Sequence, residues 1–207
     1  MLGRKEIKDN IGYAEYRHIF QLAKPYLNTR RNDIHTEIVY RFAARLLASE
    51  PGDASVALPA AICHDVGWSK VPEELQLKAF GPTFDPALTR LHEIEGVKLA
   101  QEILLAVDYE PQKTAEILAI IEGHDTRLTA LSPSDEIVKD ADKLWRFDQV
   151  GLEIDIERFR VDRTAHINWL EQQIAPWFFT ETGKKLAREE IGRFRLSRRG
   201  TGYGIKL

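Results

Sequence analysis

Apolar residues recur at three- and four-residue spacing almost throughout the chain, and no stretch alternates with a period of two. From Tyr13 to Leu27, the residues Tyr16, Ile19, Phe20 and Ala23 share one face, which predicts an amphipathic helix. Asp33 can cap a second helix running to Ala48, with Ile34, Ile38, Phe42 and Leu46 along one side. "EPGD" ends it. A third helix, centred on Leu58 to His64, is mostly apolar and is expected at the centre, with Pro59 in its first turn. Val66 to Asp85 contains Pro72, Pro82 and two glycines, which predicts a long loop with a short helical insert from Pro72 to Lys78. Further helices are predicted from Pro86 to Val107 and from Pro111 to His124. "SPSDE" is a strong start signal for another, to Phe147. Amphipathic patterns continue from Asp155 to Ile174 and from Thr182 to Leu196. The tail "SRRGTGYGIKL" has no periodic core face and predicts a loosely held end. The expected class is all-α: one helical domain whose core spans residues 1–150, with a C-terminal helical extension over 151–207 packed on it.

Composition narrows the possibilities. At 207 residues the chain can bury a substantial core. With 43% hydrophobic and 29% charged residues it has the make-up of an ordinary soluble globular protein. A formal charge of -3 argues against a stable nucleic-acid complex or a membrane-surface role, since both favour a basic excess. Cys63 is the single cysteine, so no internal disulfide can form. "MLGRKEIKDN" lacks a signal-peptide core, and no apolar run is long enough to span a bilayer; a cytoplasmic location is expected.

Candidate chemistry gathers at helix ends. Four of the six histidines, His35, His64, His92 and His124, fall at or near predicted helix termini. Their settings are "NDIHTEIV", "ICHDVG", "RLHEIEG" and "IEGHDT", and "VKDADKLW" adds Asp140 and Asp142. Taken singly, each histidine reads as a cap or a satisfied half-buried group. Together with Asp65 they form a nitrogen and oxygen donor set that suits iron, manganese, zinc, nickel or cobalt. Cysteine-rich structural zinc is excluded by composition.

The order His35, His64-Asp65, Asp142 resembles the HD superfamily of metal-dependent phosphohydrolases. "HTEIVYRFAARLLA" is similar to that family's first ligand helix, "AAICHDVGW" to its signature and "DADKL" to its closing aspartate motif. "HEIEGVKLAQEIL" and "IEGHD" are similar to the two extra histidines of its two-metal members. The resemblance covers roughly Ile34 to Trp145 and implies an HD-type helical core holding one or two divalent transition-metal ions, with magnesium as a further candidate. It implies His35, His64, Asp65 and Asp142 around one ion, and Asp65, His92 and His124 around the other. Asp65 would bridge the pair and be the catalytic carboxylate. Asp142 rather than Asp140 matches the motif; the two lie about 200° apart on one helix at ~3.6 residues per turn. Asp140 is therefore expected to be a solvated charge, with a supporting acceptor role as the alternative.

The implied reaction is hydrolysis of a phosphomonoester or phosphodiester by metal-activated water, on a nucleotide-like or other small phosphorylated metabolite. Lys143, Arg146, Arg127 and Trp68 are candidate substrate contacts, with Lys70, Arg30 and Arg31 as weaker ones; ordinary surface charge is the leading reading for each cation. Glu37, Glu95 and Asp125 could orient ligand imidazoles, with a solvated carboxylate as the leading reading for all three. Trp68 stands where several two-metal branches carry lysine, and could stack on a base or close the site against water. The loop from Val66 to Asp85, with Trp68, Phe80 and Phe84, is a candidate lid, plain packing being the other reading. A di-iron oxygenase of the inositol-oxygenase or phosphonate-cleaving type and a non-catalytic metal-binding sensor are the competing functions. "APWFF" and "RFRLSRR" could pack on the domain, form a homodimer face or meet an anionic partner.

Overall fold

The computed structural model describes residues 16–79 and 85–197. The described residues fold into ten α-helices with no strand: α1 Arg17–Ala23, α2 Asn32–Leu47, α3 Ala54–Cys63, α4 Glu73–Gln76, α5 Pro86–Ala106, α6 Pro111–Ile121, α7 Pro133–Leu144, α8 Gln149–Phe159, α9 Arg163–Trp177 and α10 Glu181–Ser197. The expected helix start at Tyr13, the lid residues Phe80 and Phe84, and the tail after Ser197 lie outside the described residues.

Short polar side chains set most helix starts. The carboxylates of Asp53, Asp85, Asp148 and Asp162 accept the N–H of Ser55, Ala87, Val150 and Ala165, at the starts of α3, α5, α8 and α9. Such caps contribute about 1 kcal/mol each. Asp33 is not the cap of α2: Arg31 holds that position in a left-handed conformation, and Asp33 lies in the first turn.

Helix α3 is the axis of the fold. Every residue from Val56 to Cys63 is buried, as all-round apolar character requires, and α2, α6 and α7 pack around it. It begins earlier than the sequence pattern implies, so Pro59 lies inside it and not in its first turn. An interior proline leaves the carbonyl four residues back without its N–H partner. Here that carbonyl belongs to Ser55, and the Tyr109 hydroxyl donates to it at 2.5 Å. A tyrosine from the loop after α5 thus makes the interior proline tolerable.

The expected single helix from Asp155 to Ile174 is two helices. Arg160 ends α8 in a left-handed conformation, φ 51° and ψ 43°, and Asp162 starts α9 as its cap. One hydrophobic cluster runs from Tyr16 through α2, α3, α6 and α7 to Leu152, Ile174 and Phe194 in the last three helices. No helix among the described residues is long and apolar enough to cross a membrane.

The segment after His64 forms tight helical turns over Val66–Lys70 and lies against α5. Trp68, Val71 and Ala79 make a small buried cluster there. Gln76 fastens it by donating to the carbonyls of Trp68 and Val71 at 3.0 and 2.8 Å. Packing, not an open lid, describes this stretch as far as Ala79.

Candidate metal centre

Five of the helices bring side chains to a common point. His35 lies in the first turn of α2, His64 and Asp65 follow α3, His92 lies on α5, His124 follows α6 and Asp142 lies on α7. The approach of α5 to the turn after α3 depends on glycine. A Cβ at Gly67 would lie 1.9 Å from the His92 carbonyl oxygen and 2.5 Å from the Gly96 nitrogen. No side chain larger than hydrogen fits between them.

The six side chains form two lobes about Asp65. In the first, the Nε2 atoms of His35 and His64 are 2.9 Å apart, and Asp142 Oδ1 lies 3.4 and 3.7 Å from them. In the second, the Nε2 atoms of His92 and His124 are 3.2 Å apart. Asp65 faces both: Oδ2 lies 3.3 Å from His35 and 3.8 Å from His64, and Oδ1 lies 3.8 Å from His92 and 3.5 Å from His124. Asp125 Oδ2 adds itself to the second lobe, 3.6 and 3.9 Å from the same two imidazoles. Three groups of donor atoms each lie within 4.8 Å of one another: His35, His64 and Asp142; His64, Asp65 and His124; His92, His124 and Asp125.

The tautomers show what the lobes suit. His64 Nδ1 is 2.9 Å from the Ala61 carbonyl and His124 Nδ1 is 2.8 Å from that of Ile121. A carbonyl only accepts, so each Nδ1 bears the proton in the neutral ring and each Nε2 presents a lone pair. Lone pairs facing another imidazole nitrogen at about 3 Å need a proton or a cation between them. The donor set of imidazoles and carboxylates fits a divalent metal.

Protonation follows the same logic. Burial lowers His35 and His92 to about 4. Burial also opposes charge on His124, but its bond to Asp65 and the nearby Asp125 raise it to about 9. The Asp65 carboxyl, despite burial, is held well below its usual value by His64, His124, His35 and His92. Asp142 is likewise held down against burial, chiefly by Lys143.

The supporting side chains divide unevenly. Lys143 Nζ lies 2.8 Å from Asp142 and 3.5 Å from Asp125, tying the two lobes. Trp68 stacks on His92, and its indole N–H donates to Asp65 Oδ1 at 3.0 Å. Arg30, Arg31, Lys143, Arg146 and Arg158 line the cavity over His35, Asp65 and Asp142. Arg146 is ion-paired to the buried Asp155. Arg30 and Arg31 are consecutive residues at positive φ, 51° and 60°, a conformation that costs on the order of 1–3 kcal/mol for each. The carbonyl of Arg30 accepts from Arg158 Nη2 at 3.0 Å.

Arg127 and Asp140 depart from the expected roles, while Lys70, Glu37 and Glu95 keep the surface roles favoured for them. Arg127 does not reach the cavity; it donates to Asp135 and to the Ala119 carbonyl at 3.1 and 3.0 Å, because the buried Asp135 carboxylate requires a cation. Lys70 lines a separate groove with Tyr26 and Glu73. Glu37 is exposed, and Glu95 pairs with Lys98 at 2.6 Å. Asp140 is not solvated. It is fully buried and accepts the N–H groups of Phe179 and Thr180 and the Thr180 hydroxyl at 2.8, 2.9 and 2.6 Å.

Two residues that sequence reasoning missed shape the turn carrying His124. Glu93 is fully buried and accepts from the N–H groups of Asp125 and Thr126 at 3.1 and 2.9 Å. Lys139 Nζ donates to the carbonyls of Gly123, His124 and Arg127 at 2.7, 2.8 and 2.9 Å. The available signal was a charge at a helical position whose neighbours in the period are apolar. Arg158 was also missed, since nothing local to "IERFR" relates it to His35.

Residues 32–146, more than half of the chain, match the family model of the HD domain. No curated protein matches the chain. Among solved structures it is similar to a predicted HD superfamily hydrolase from an uncultured Thermotogales bacterium. That likeness has 20% sequence identity and a TM-score of 0.60, over 98% of this chain and 100% of the other. At that identity it speaks for the fold. The family match contains all six converging positions from His35 to Asp142, and the chain belongs to the HD domain family.

Proposed function

We propose that the protein is a metal-dependent phosphohydrolase that cleaves a phosphate ester of a small metabolite, with divalent transition-metal ions held in both lobes. The observation that carries this reading is the division of Asp65, one oxygen toward each imidazole pair. His35, His64, Asp142 and Asp65 Oδ2 would hold one ion; His92, His124, Asp65 Oδ1 and Asp125 would hold the other. When bound, such ions lower the pKa of water and withdraw charge from a phosphoryl oxygen.

The chain's own residues supply the rest. Asp65 is the common anchor, and Trp68 fixes it through the indole N–H. Lys143 holds Asp142 and Asp125 in place and leaves a positive charge at the cavity wall. Arg30 and Arg146 line the same cavity as Asp65, where they can receive a phosphoryl group. Trp68 and Trp145, 1% and 5% exposed, exclude water behind the site.

The test is metal analysis of anaerobically purified protein, followed by phosphate-release assays on monoesters and diesters. Up to two ions per chain and metal-dependent release of phosphate are expected. Failure of the metal-loaded protein to release phosphate from every ester would overturn the reading. Oxygen uptake by the iron form in that case would assign it to oxygenase chemistry.

A further inference from the structure

Resting on the phosphohydrolase reading, we infer that α8, which lies beyond the family match, completes the substrate site. Asp155 positions Arg146 and Arg158 as a pair of guanidinium groups that receives the phosphoryl group in the cavity lined by His35, Asp65 and Asp142.

The seating of α8 carries the first step. The match to the HD domain ends at residue 146, and α8 begins at Gln149. A Cβ at Gly151 would lie 1.9 Å from the Trp145 carbonyl oxygen and 2.7 Å from Trp145 Cε3. Glycine therefore lets α8 close on the turn that follows α7. Asp148, the cap of α8, pairs with Arg41 of α2 at 2.5 Å. The helix is thus fixed to both elements that carry His35 and Asp142.

From that seat α8 turns a carboxylate and a guanidinium toward the site. Asp155 is fully buried; Arg146 Nη1 donates to its Oδ2, and Arg158 Nη1 lies 3.9 Å from its Oδ1. His166 of α9 faces the same carboxylate, with Nε2 at 3.7 Å from Oδ2. Both guanidinium groups lie over the Trp145 ring, at 5.5 and 5.9 Å from its centroid, and that ring packs edge-on against His35 at 4.9 Å. Both arginines line the cavity. Arg158 also reaches the segment before α2, where Nη2 donates to the Arg30 carbonyl at 3.0 Å. Arg31 of that segment pairs with Glu157 of α8 at 3.1 Å, so two contacts join α8 to the turn leading to His35.

The chemistry follows from the shape of a guanidinium. Two such cations side by side repel, and a carboxylate shared between them offsets that cost. A planar guanidinium keeps its N–H donors in a fixed fork, so one edge held by Asp155 leaves another edge aimed. Two forks fixed in this way suit the several oxygens of a phosphoryl group. Arg158 is then a substrate contact, and Asp155 a positioning residue that acts through both arginines.

Calorimetric titration of the metal-loaded protein with inorganic phosphate tests this, with hydrolysis of p-nitrophenyl phosphate followed alongside. Arg158→Met should weaken phosphate about tenfold, the worth of one charge-assisted hydrogen bond. KM for the ester should rise by a similar factor, metal content should not change, and Arg158→Lys should recover part of the loss. Asp155→Asn separates positioning from bare charge. It removes a negative charge beside the cavity, so electrostatics alone would tighten phosphate binding, whereas positioning requires binding about threefold weaker or worse. Titrations are run well below the unfolding temperature of each variant, where a loss of stability alone does not move phosphate affinity. Arg158→Met keeps the test decisive should Asp155→Asn not fold. Unchanged or tighter phosphate binding in either variant overturns the inference, and does so without touching the hydrolase reading if the ester is still cleaved. Arginine-dependent phosphate binding with no ester cleaved would sink the hydrolase reading and leave the anion site standing.

Discussion

Trp68 lies flat on His92, with ring centroids 4.0 Å apart and planes 9° from parallel. The same indole donates its N–H to Asp65. One side chain therefore orients two donors of the second lobe, and it does so where other branches of the family carry a lysine. His92 needs that support, because its Nδ1 is buried with no hydrogen-bond partner among the described residues. Trp68→Phe keeps a ring against the imidazole and removes the donor to the carboxylate. Loss of such an outer contact lowers metal affinity by about 10–100-fold. The second ion should bind at least tenfold more weakly while the first is retained, as read by calorimetric metal titration. An unchanged second affinity would leave the indole N–H without a role.

The two lobes should lose metal unequally. His92→Ala removes a donor from the second lobe alone, so one ion per chain is expected to survive desalting. Asp125→Ala should weaken the same ion, since Asp125 Oδ2 lies 3.6 and 3.9 Å from His92 and His124. Asp65→Ala takes a donor from both lobes and should remove both ions. Elemental analysis of the desalted variants reads this directly. Two ions retained in Asp125→Ala would reduce that carboxylate to a partner for Lys143, and equal losses in His92→Ala and Asp65→Ala would contradict the bridging arrangement.

Asp140 is a structural residue two positions from a candidate ligand. Its carboxylate joins α7 to the Phe179–Thr180 turn before α10 by accepting from three donors. Asp140→Ala would leave those donors buried and unpaired, at about 1 kcal/mol or more for each. A loss of about 3 kcal/mol is expected, lowering the melting temperature by about 6–12 °C for a chain of this size. Metal content should not change, since Asp140 faces away from the lobes around the helix. Thermal unfolding and elemental analysis of one preparation check both halves; loss of metal at unchanged stability would reverse the assignment.

The convergence of His35, His64, Asp65, His92, His124 and Asp142 was legible because each lies beside a helix end and in a phrase with family character. What was illegible depends on partners distant in sequence. The residues near Pro59 predict a first-turn proline, because nothing there shows that Tyr109, fifty residues on, takes the freed carbonyl of Ser55. Asp140 looked solvated because its donors lie some forty residues away. The nearness of Arg127 to His124 in sequence suggests a substrate contact, whereas the buried Asp135 carboxylate claims its guanidinium. Arg158 reaches the cavity only because α8 brings it there with Ile154, and periodicity carries no signal for that.

Behind the cavity, Asp155 is fully buried against Arg146, with Arg158 Nη1 at 3.9 Å and His166 Nε2 at 3.7 Å. Burial disfavours its charge, yet Arg146, His166 and Arg158 win, and its pKa falls below the ordinary carboxylate value. The folded state therefore holds the ionised form more tightly than the unfolded chain does. Stability from this group is complete above the unfolded pKa of about 3.9 and is lost as pH falls through the lower folded value. Asp155→Asn should accordingly cost about 3 kcal/mol near neutral pH, the range for breaking a buried ion pair. The gap from the unsubstituted protein should stay level down to about pH 5 and narrow below about pH 4. Urea unfolding of both proteins across that range measures it. A gap that widens on acidification would mean the carboxyl is protonated in the folded protein, and Arg146 and Arg158 would then have no counter-charge to hold them at the cavity wall.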